Sequence, residues 1–186
     1  MTEKTFELVD RASDRKVNLP VRPGTIGPSV VDVAALNKEL GVFTYDPGFG
    51  LTAACESRIT YIDGDKGVLL YRGYPVEQLA EKSSFMEVSY LLLHGNLPTH
   101  KQLEEFEGSI RHHTMINESL LRFFHGFHYD AHPMAMVSAV VASMSAFYHD
   151  TMDIYNPRQR EIFAHRIIAK IPTIAAAAHK HALGQP

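Results

Sequence analysis

The hydrophobic rhythm of the chain changes part-way along. Before residue 75, apolar positions alternate with polar or small ones, the period-2 signature of strands. Residues 6–9 and 16–19 are candidate strands. Ile59, Tyr61, Val68 and Leu70 alternate around Asp63-Gly64, which predicts a β-hairpin whose positive φ angles Gly64 and Gly67 can supply. Between these lies a short predicted helix, residues 31–40, stopped by Gly41. From Pro75 onward the rhythm is helical, and Pro75 suits a first helical position because its missing N–H has no partner there.

Capping residues divide the helical part. Ser84 precedes a helix over 85–94 that stops at Gly95. Thr99 and Gln102 have capping-box spacing before a helix to about residue 110. A short helix is expected over 117–125. Asp130 or His132 opens the next, which starts at Pro133 and runs to about residue 148. Asn156 with Pro157 opens another, to about residue 170, and Ile171-Pro172 should interrupt it before a last helix over 173–184. The reading is mainly α, with a small β-containing segment over 1–50 and a hairpin plus helices over 51–186.

The stretch 133–148, P-M-A-M-V-S-A-V-V-A-S-M-S-A-F-Y, has no polar face. Such a helix needs cover on every side, so it is either a central core helix or part of a subunit interface. Small residues recur at 174–178.

Composition narrows the class. A 186-residue chain with 45% hydrophobic and 21% charged residues is ordinary for a globular protein. A net charge of −3 gives no electrostatic case for nucleic acid or an anionic membrane. No apolar run approaches the roughly 18 residues of a membrane span. The N-terminus lacks a signal peptide's apolar core and is too acidic for a transit peptide. The one cysteine, Cys55, excludes an internal disulfide framework. These features together suggest a cytoplasmic protein.

The eleven histidines do not fall at metal-ligand spacings. His112 and His113 diverge by about 100° on a helix, His128 and His132 flank a helix start, and His179 and His181 are two apart. There is no H-E-x-x-H and no cysteine pair, so no metal site is expected. Nor is there a G-x-G-x-x-G, a P-loop or a G-x-S-x-G. Asp63 and Asp65 fit a turn better than an acid–base pair. Beside Arg158 and Arg160, Arg166 and Lys170 are four apart on a predicted helix. They form either a solvated face or a site for a phosphorylated ligand.

One resemblance gathers these pieces. The string C-E-S-R-I-T-Y-I-D-G-D-K-G-V-L-L-Y-R-G-Y-P-V-E-Q-L over 55–79 resembles citrate synthase in its Gram-negative bacterial (type II) form. So do V-F-T-Y-D-P-G-F at 42–49, A-H-P-M-A at 131–135, A-F-Y-H-D at 146–150, N-P-R at 156–158 and K-I-P-T-I-A-A at 170–176, all in the family's order. The resemblance implies a citrate-synthase-like helical domain and the condensation of oxaloacetate with acetyl-CoA to citrate and CoA in the tricarboxylic acid cycle. It implies side-chain acid–base chemistry with no cofactor, and a homo-oligomer, either a dimer or an assembly of the hexamer-of-dimers type.

The family's H-A-D-H-E-Q-N and G-P-x-H-G-G-A-N stretches and its later aspartate have no counterpart here. The chain therefore reads as an N-terminal fragment with no catalytic residues, inactive alone. The resemblance further implies an allosteric NADH site at His113, Thr114, Met115, Tyr148, Arg166 and Lys170, with His112 standing where NADH-sensitive relatives can have arginine. Two alternatives remain open: 2-methylcitrate synthase, which uses propionyl-CoA, and a non-catalytic helical module that binds a nucleotide or oligomerises.

Overall fold

The structure is a computed structural model that describes residues 4–185. It divides into two compact units, Met1–Lys82 and Ser83–Pro186.

In the first unit, β1 (Thr5–Asp10) and β2 (Arg15–Arg22) pair antiparallel, with Phe6 opposite Leu19 and Leu8 opposite Val17. Asp10 closes their turn by accepting from the Ala12 amide at 2.9 Å and from the Ser13 hydroxyl. A two-residue strand, β3 (Val30–Val31), adds to the other side of β2. Alternate residues Val17 and Leu19 point inward and meet Leu36 and Leu40 of α1 (Ala34–Leu40), a small buried cluster. Gly41 ends α1 at φ 74°.

The predicted hairpin follows as β4 (Thr60–Asp63) and β5 (Val68–Tyr71). Of its two glycines only Gly67 takes a positive φ, 65°. Asp63 holds the loop by accepting from the Lys66 amide and from Lys66 Nζ, each at 3.1 Å, so it serves the turn. Arg72 and Gly73 reverse the chain at φ 51° and 90°, and Pro75 ends the short strand β6 (Tyr74–Pro75) before α2 (Val76–Lys82) begins.

The second unit is helical. Ser84 and Glu87 form a reciprocal capping box on α3 (Phe85–His94), and Gly95 closes it at φ 93°. Thr99 and Gln102 do the same for α4 (His100–His112). These side chains satisfy amides that the first helical turn leaves without partners. Asn117 caps α5 (Glu118–Phe123), and a 3-10 turn extends it through Gly126. His132, one of the two expected openers, caps α6 (Pro133–Ser143) through a Met134 amide donating to its Nδ1 at 3.2 Å.

Two expectations are corrected. Residues 144–146 form a 3-10 turn, so α6 is shorter than its apolar run. And Ile171-Pro172 does not interrupt: α7 (Pro157–Ala182) is one helix of 26 residues with Pro172 inside it. An internal proline costs roughly 3 kcal/mol through a lost hydrogen bond and a clash. Tertiary packing offsets that cost, because α7 buries residues on both sides of Pro172. Before it, Ala169 joins Phe106 and Ile110; after it, Ile174 and Ala178 join Leu120, Phe124, Met136, Val140 and Met144.

Within this chain α6 is covered on one face only. Met136 and Val140 are fully buried, whereas Met134, Ser138 and Ala142, at helical spacing, are exposed.

Candidate functional site

The second unit brings the expected site residues together where α7 passes the loop after α4. Arg166 and Lys170 lie one turn apart on α7, and His113 follows the last residue of α4. Lys170 is not on a solvated face: it is 3% exposed and the one buried charged residue among those described. Its Nζ donates to the backbone carbonyls of His113 at 2.6 Å and Met115 at 2.5 Å. Thr114 adds a second tether, its carbonyl accepting from Thr173 Oγ1 at 3.5 Å. The Met115 side chain points into solvent. So three of the expected residues form a loop held on α7 through backbone carbonyls, with Lys170 as the fastening.

Tyr148 lies beneath both cations. Its ring centroid is 4.8 Å from Arg166 Cζ and 5.2 Å from Lys170 Nζ, within cation–π range. Asp150, which sequence reasoning did not single out, grips Arg166 in a two-pronged pair with contacts of 2.6 and 2.7 Å. Nothing in the spacing of residues 150 and 166 announces that pair. Arg166 is largely covered, its side chain 12% exposed, while that of Asp150 is 58% exposed. Arg166 Nε is buried and meets no acceptor among the described residues.

The charges shift one another. Hydrogen bonding to Arg166 holds the Asp150 carboxyl below the usual carboxylate range, and the same contact raises Arg166 further. Burial, then the positive charges of Arg166 and Lys170, push His113 below the ordinary histidine value, so it stays neutral at neutral pH. His112 is exposed and turned back onto its own helix, its Nδ1 2.6 Å from the Gly108 carbonyl.

A second cluster, absent from the sequence expectations, lies in an open cleft between α3, α4 and α7. His94, Glu161 and His165 each bring a ligand-type atom within 4.8 Å of the others, and Tyr90 and Phe106 help to line the cleft. Glu161 and His165 are four apart on α7, a spacing visible in the sequence; His94, at the end of α3, is supplied only by the fold. His165 Nδ1 is 2.8 Å from Ser109 Oγ, and the Phe106 and His165 rings meet nearly perpendicular with centroids 5.0 Å apart. Burial lowers its pKa, against the opposing charge of Glu161.

Residues 48–186 match the family model described as citrate synthase, C-terminal domain. The chain belongs to the citrate synthase family. Solved citrate synthases have the same fold over most of it. The Pyrobaculum aerophilum enzyme is 31% identical, with a TM-score of 0.66 over 75% of this chain and 37% of that one. Thermoplasma acidophilum citrate synthase, solved in a ternary complex with carboxymethyl coenzyme A and oxaloacetate, is 29% identical, with a TM-score of 0.67 over 73% of this chain and 35% of that one. The Thermotoga maritima MSB8 enzyme is 31% identical, with a TM-score of 0.62 over 77% and 36%. The chain thus spans just over a third of the length of these citrate synthases. No helix among the described residues is long and apolar enough to cross a membrane.

Proposed function

We propose that this chain is the N-terminal part of a Gram-negative, type II citrate synthase that condenses oxaloacetate with acetyl-CoA to citrate and CoA in the cytoplasm. The observation that carries the reading is the family match over residues 48–186, together with a shared fold at 29–31% identity. The type II assignment rests on the hairpin string and the five segments that flank it. The open stripe of Met134, Ser138 and Ala142 on α6 supports oligomerisation, since Met134 offers apolar surface and the small Ser138 and Ala142 let another helix approach closely. The competing reading is 2-methylcitrate synthase. The complete enzyme carrying this chain should form product faster from acetyl-CoA than from propionyl-CoA with oxaloacetate; the reverse preference assigns it to the propionyl-CoA enzyme.

A regulatory role for the α7 cluster is the second part of the proposal. We infer that NADH binds at His113, Thr114, Met115, Tyr148, Arg166 and Lys170. What supports this is that Arg166 presents a two-pronged donor to an exposed carboxylate, and Asp150 occupies the place a ligand phosphate would take. Lys170 has a different part, because its ammonium group is committed to two carbonyls. It shapes the loop, and Arg166 meets the anion.

In an NADH fluorescence titration, Arg166→Ala should weaken binding at least about tenfold, the equivalent of one lost charge-assisted hydrogen bond. Asp150→Asn should strengthen it, by removing the competing carboxylate. Equal binding by wild type and Arg166→Ala would remove the site.

A further inference from the structure

We propose that His94, Glu161 and His165 bind a divalent transition metal ion of the zinc type, fastening the end of α3 to α7. The donor set is two imidazoles and one carboxylate, which suits zinc, cobalt or nickel better than magnesium or calcium. Three protein ligands leave a fourth position for water.

The geometry supports this beyond proximity. The three ligand-type atoms lie within 4.8 Å of one another. Tetrahedral coordination at bond lengths of about 2.0–2.1 Å needs them about 3.3 Å apart. His94 and Glu161 are both exposed and can close that gap by rotating their side chains. His165 is the fixed member. Ser109 Oγ engages its Nδ1 at 2.8 Å, and the Phe106 ring packs nearly perpendicular to it. Its other nitrogen, Nε2, is buried and has no hydrogen-bond partner among the described residues.

A ligating histidine whose far nitrogen is held by a neighbour is the arrangement that orients an imidazole for a metal. With the proton on Nδ1 facing Ser109, Nε2 offers its lone pair. An unpartnered buried polar atom otherwise costs free energy, and a metal ion would satisfy it. Glu105 borders the same cleft and adds negative charge beside the cation.

The test is a Co²⁺ titration of the full 186-residue chain, followed by visible absorption, with Zn²⁺ as competitor. One Co²⁺ should bind per chain with the intense d–d bands of a low-coordinate ion, and Zn²⁺ should displace it. His94→Ala and Glu161→Gln alter exposed side chains, so they should keep the helical circular dichroism while weakening Co²⁺ at least about tenfold. Absence of the low-coordinate bands in the wild-type chain would overturn the site. So would Co²⁺ binding that neither variant weakens, because the ion would then sit on other histidines.

Discussion

Thiol release from acetyl-CoA in the presence of oxaloacetate is expected to stay at the blank rate when the 186-residue chain is assayed alone. The condensation needs a base to take a proton from the acyl methyl group. It also needs acids at the thioester carbonyl and at the ketone. Each positioned donor or acceptor typically contributes roughly 10²–10⁴-fold, so a protein lacking all of them falls to background.

The described histidines offer poor substitutes. His113 is held neutral behind two cations. His128 contacts Asp130, but both side chains are 70% exposed, with nothing to exclude water around them. The His94, Glu161 and His165 cleft joins histidine and carboxylate beside a concavity. Release above the blank would overturn the expectation and point to that cleft, and Glu161→Gln would then be the first variant to assay.

The sequence made the local structure legible wherever a single turn decides it. Thr99 with Gln102 is a reciprocal cap set by positions three apart and formed as the spacing predicts, and Ser84 caps the helix it precedes, where Glu87 completes a box that was equally legible at that spacing. Asn156 and Gly95 marked their helix ends for the same reason. Local rules were not always enough, since Gly64 keeps a negative φ and Pro75 ends β6 instead of opening α2, and the largest failure was decided by distant packing. Pro172 breaks a helix by local rules, yet α7 runs through it, because Ala169 on one side and Ile174 with Ala178 on the other are buried in separate clusters. Local propensity carries no information about either cluster.

The candidate site divides along the same line. That Arg166 and Lys170 share a helix face is a matter of spacing. Their different environments are not. The loop of residues 113–115 folds its carbonyls over Lys170, and Asp150 arrives from a turn sixteen residues away to meet Arg166. Two like charges one turn apart are therefore each compensated, one by dipoles and one by a carboxylate. The repulsion that a bare reading of the helix suggests is largely offset before any ligand arrives.

Lys170→Met should accordingly be among the most damaging single changes in the second unit, at about 3 kcal/mol. Methionine keeps most of the apolar stem, so the loss isolates the ammonium group. Two part-buried carbonyls, those of His113 and Met115, lose a charged donor, and an acceptor left without a partner costs up to about 1–3 kcal/mol. Relief of the desolvated charge offsets part of the sum. Urea unfolding followed by helical circular dichroism should show a lower midpoint with an unchanged slope. A change below about 0.5 kcal/mol, typical of an exposed site, would mean that Lys170 does not hold the loop.

His113 gives an independent readout of the same substitution. Its folded pKa is depressed, by burial first and by Arg166 and Lys170 next. The unfolded chain therefore takes up the proton first as pH falls. The stability held above the ordinary histidine pKa declines as pH drops through that value toward the lower folded one. Removing Lys170 removes one of the positive charges, so the folded pKa of His113 should rise and the acid-side loss of stability should shrink. An NMR titration of the His113 ring that is identical in wild type and Lys170→Met would show that the ammonium group does not act on this histidine.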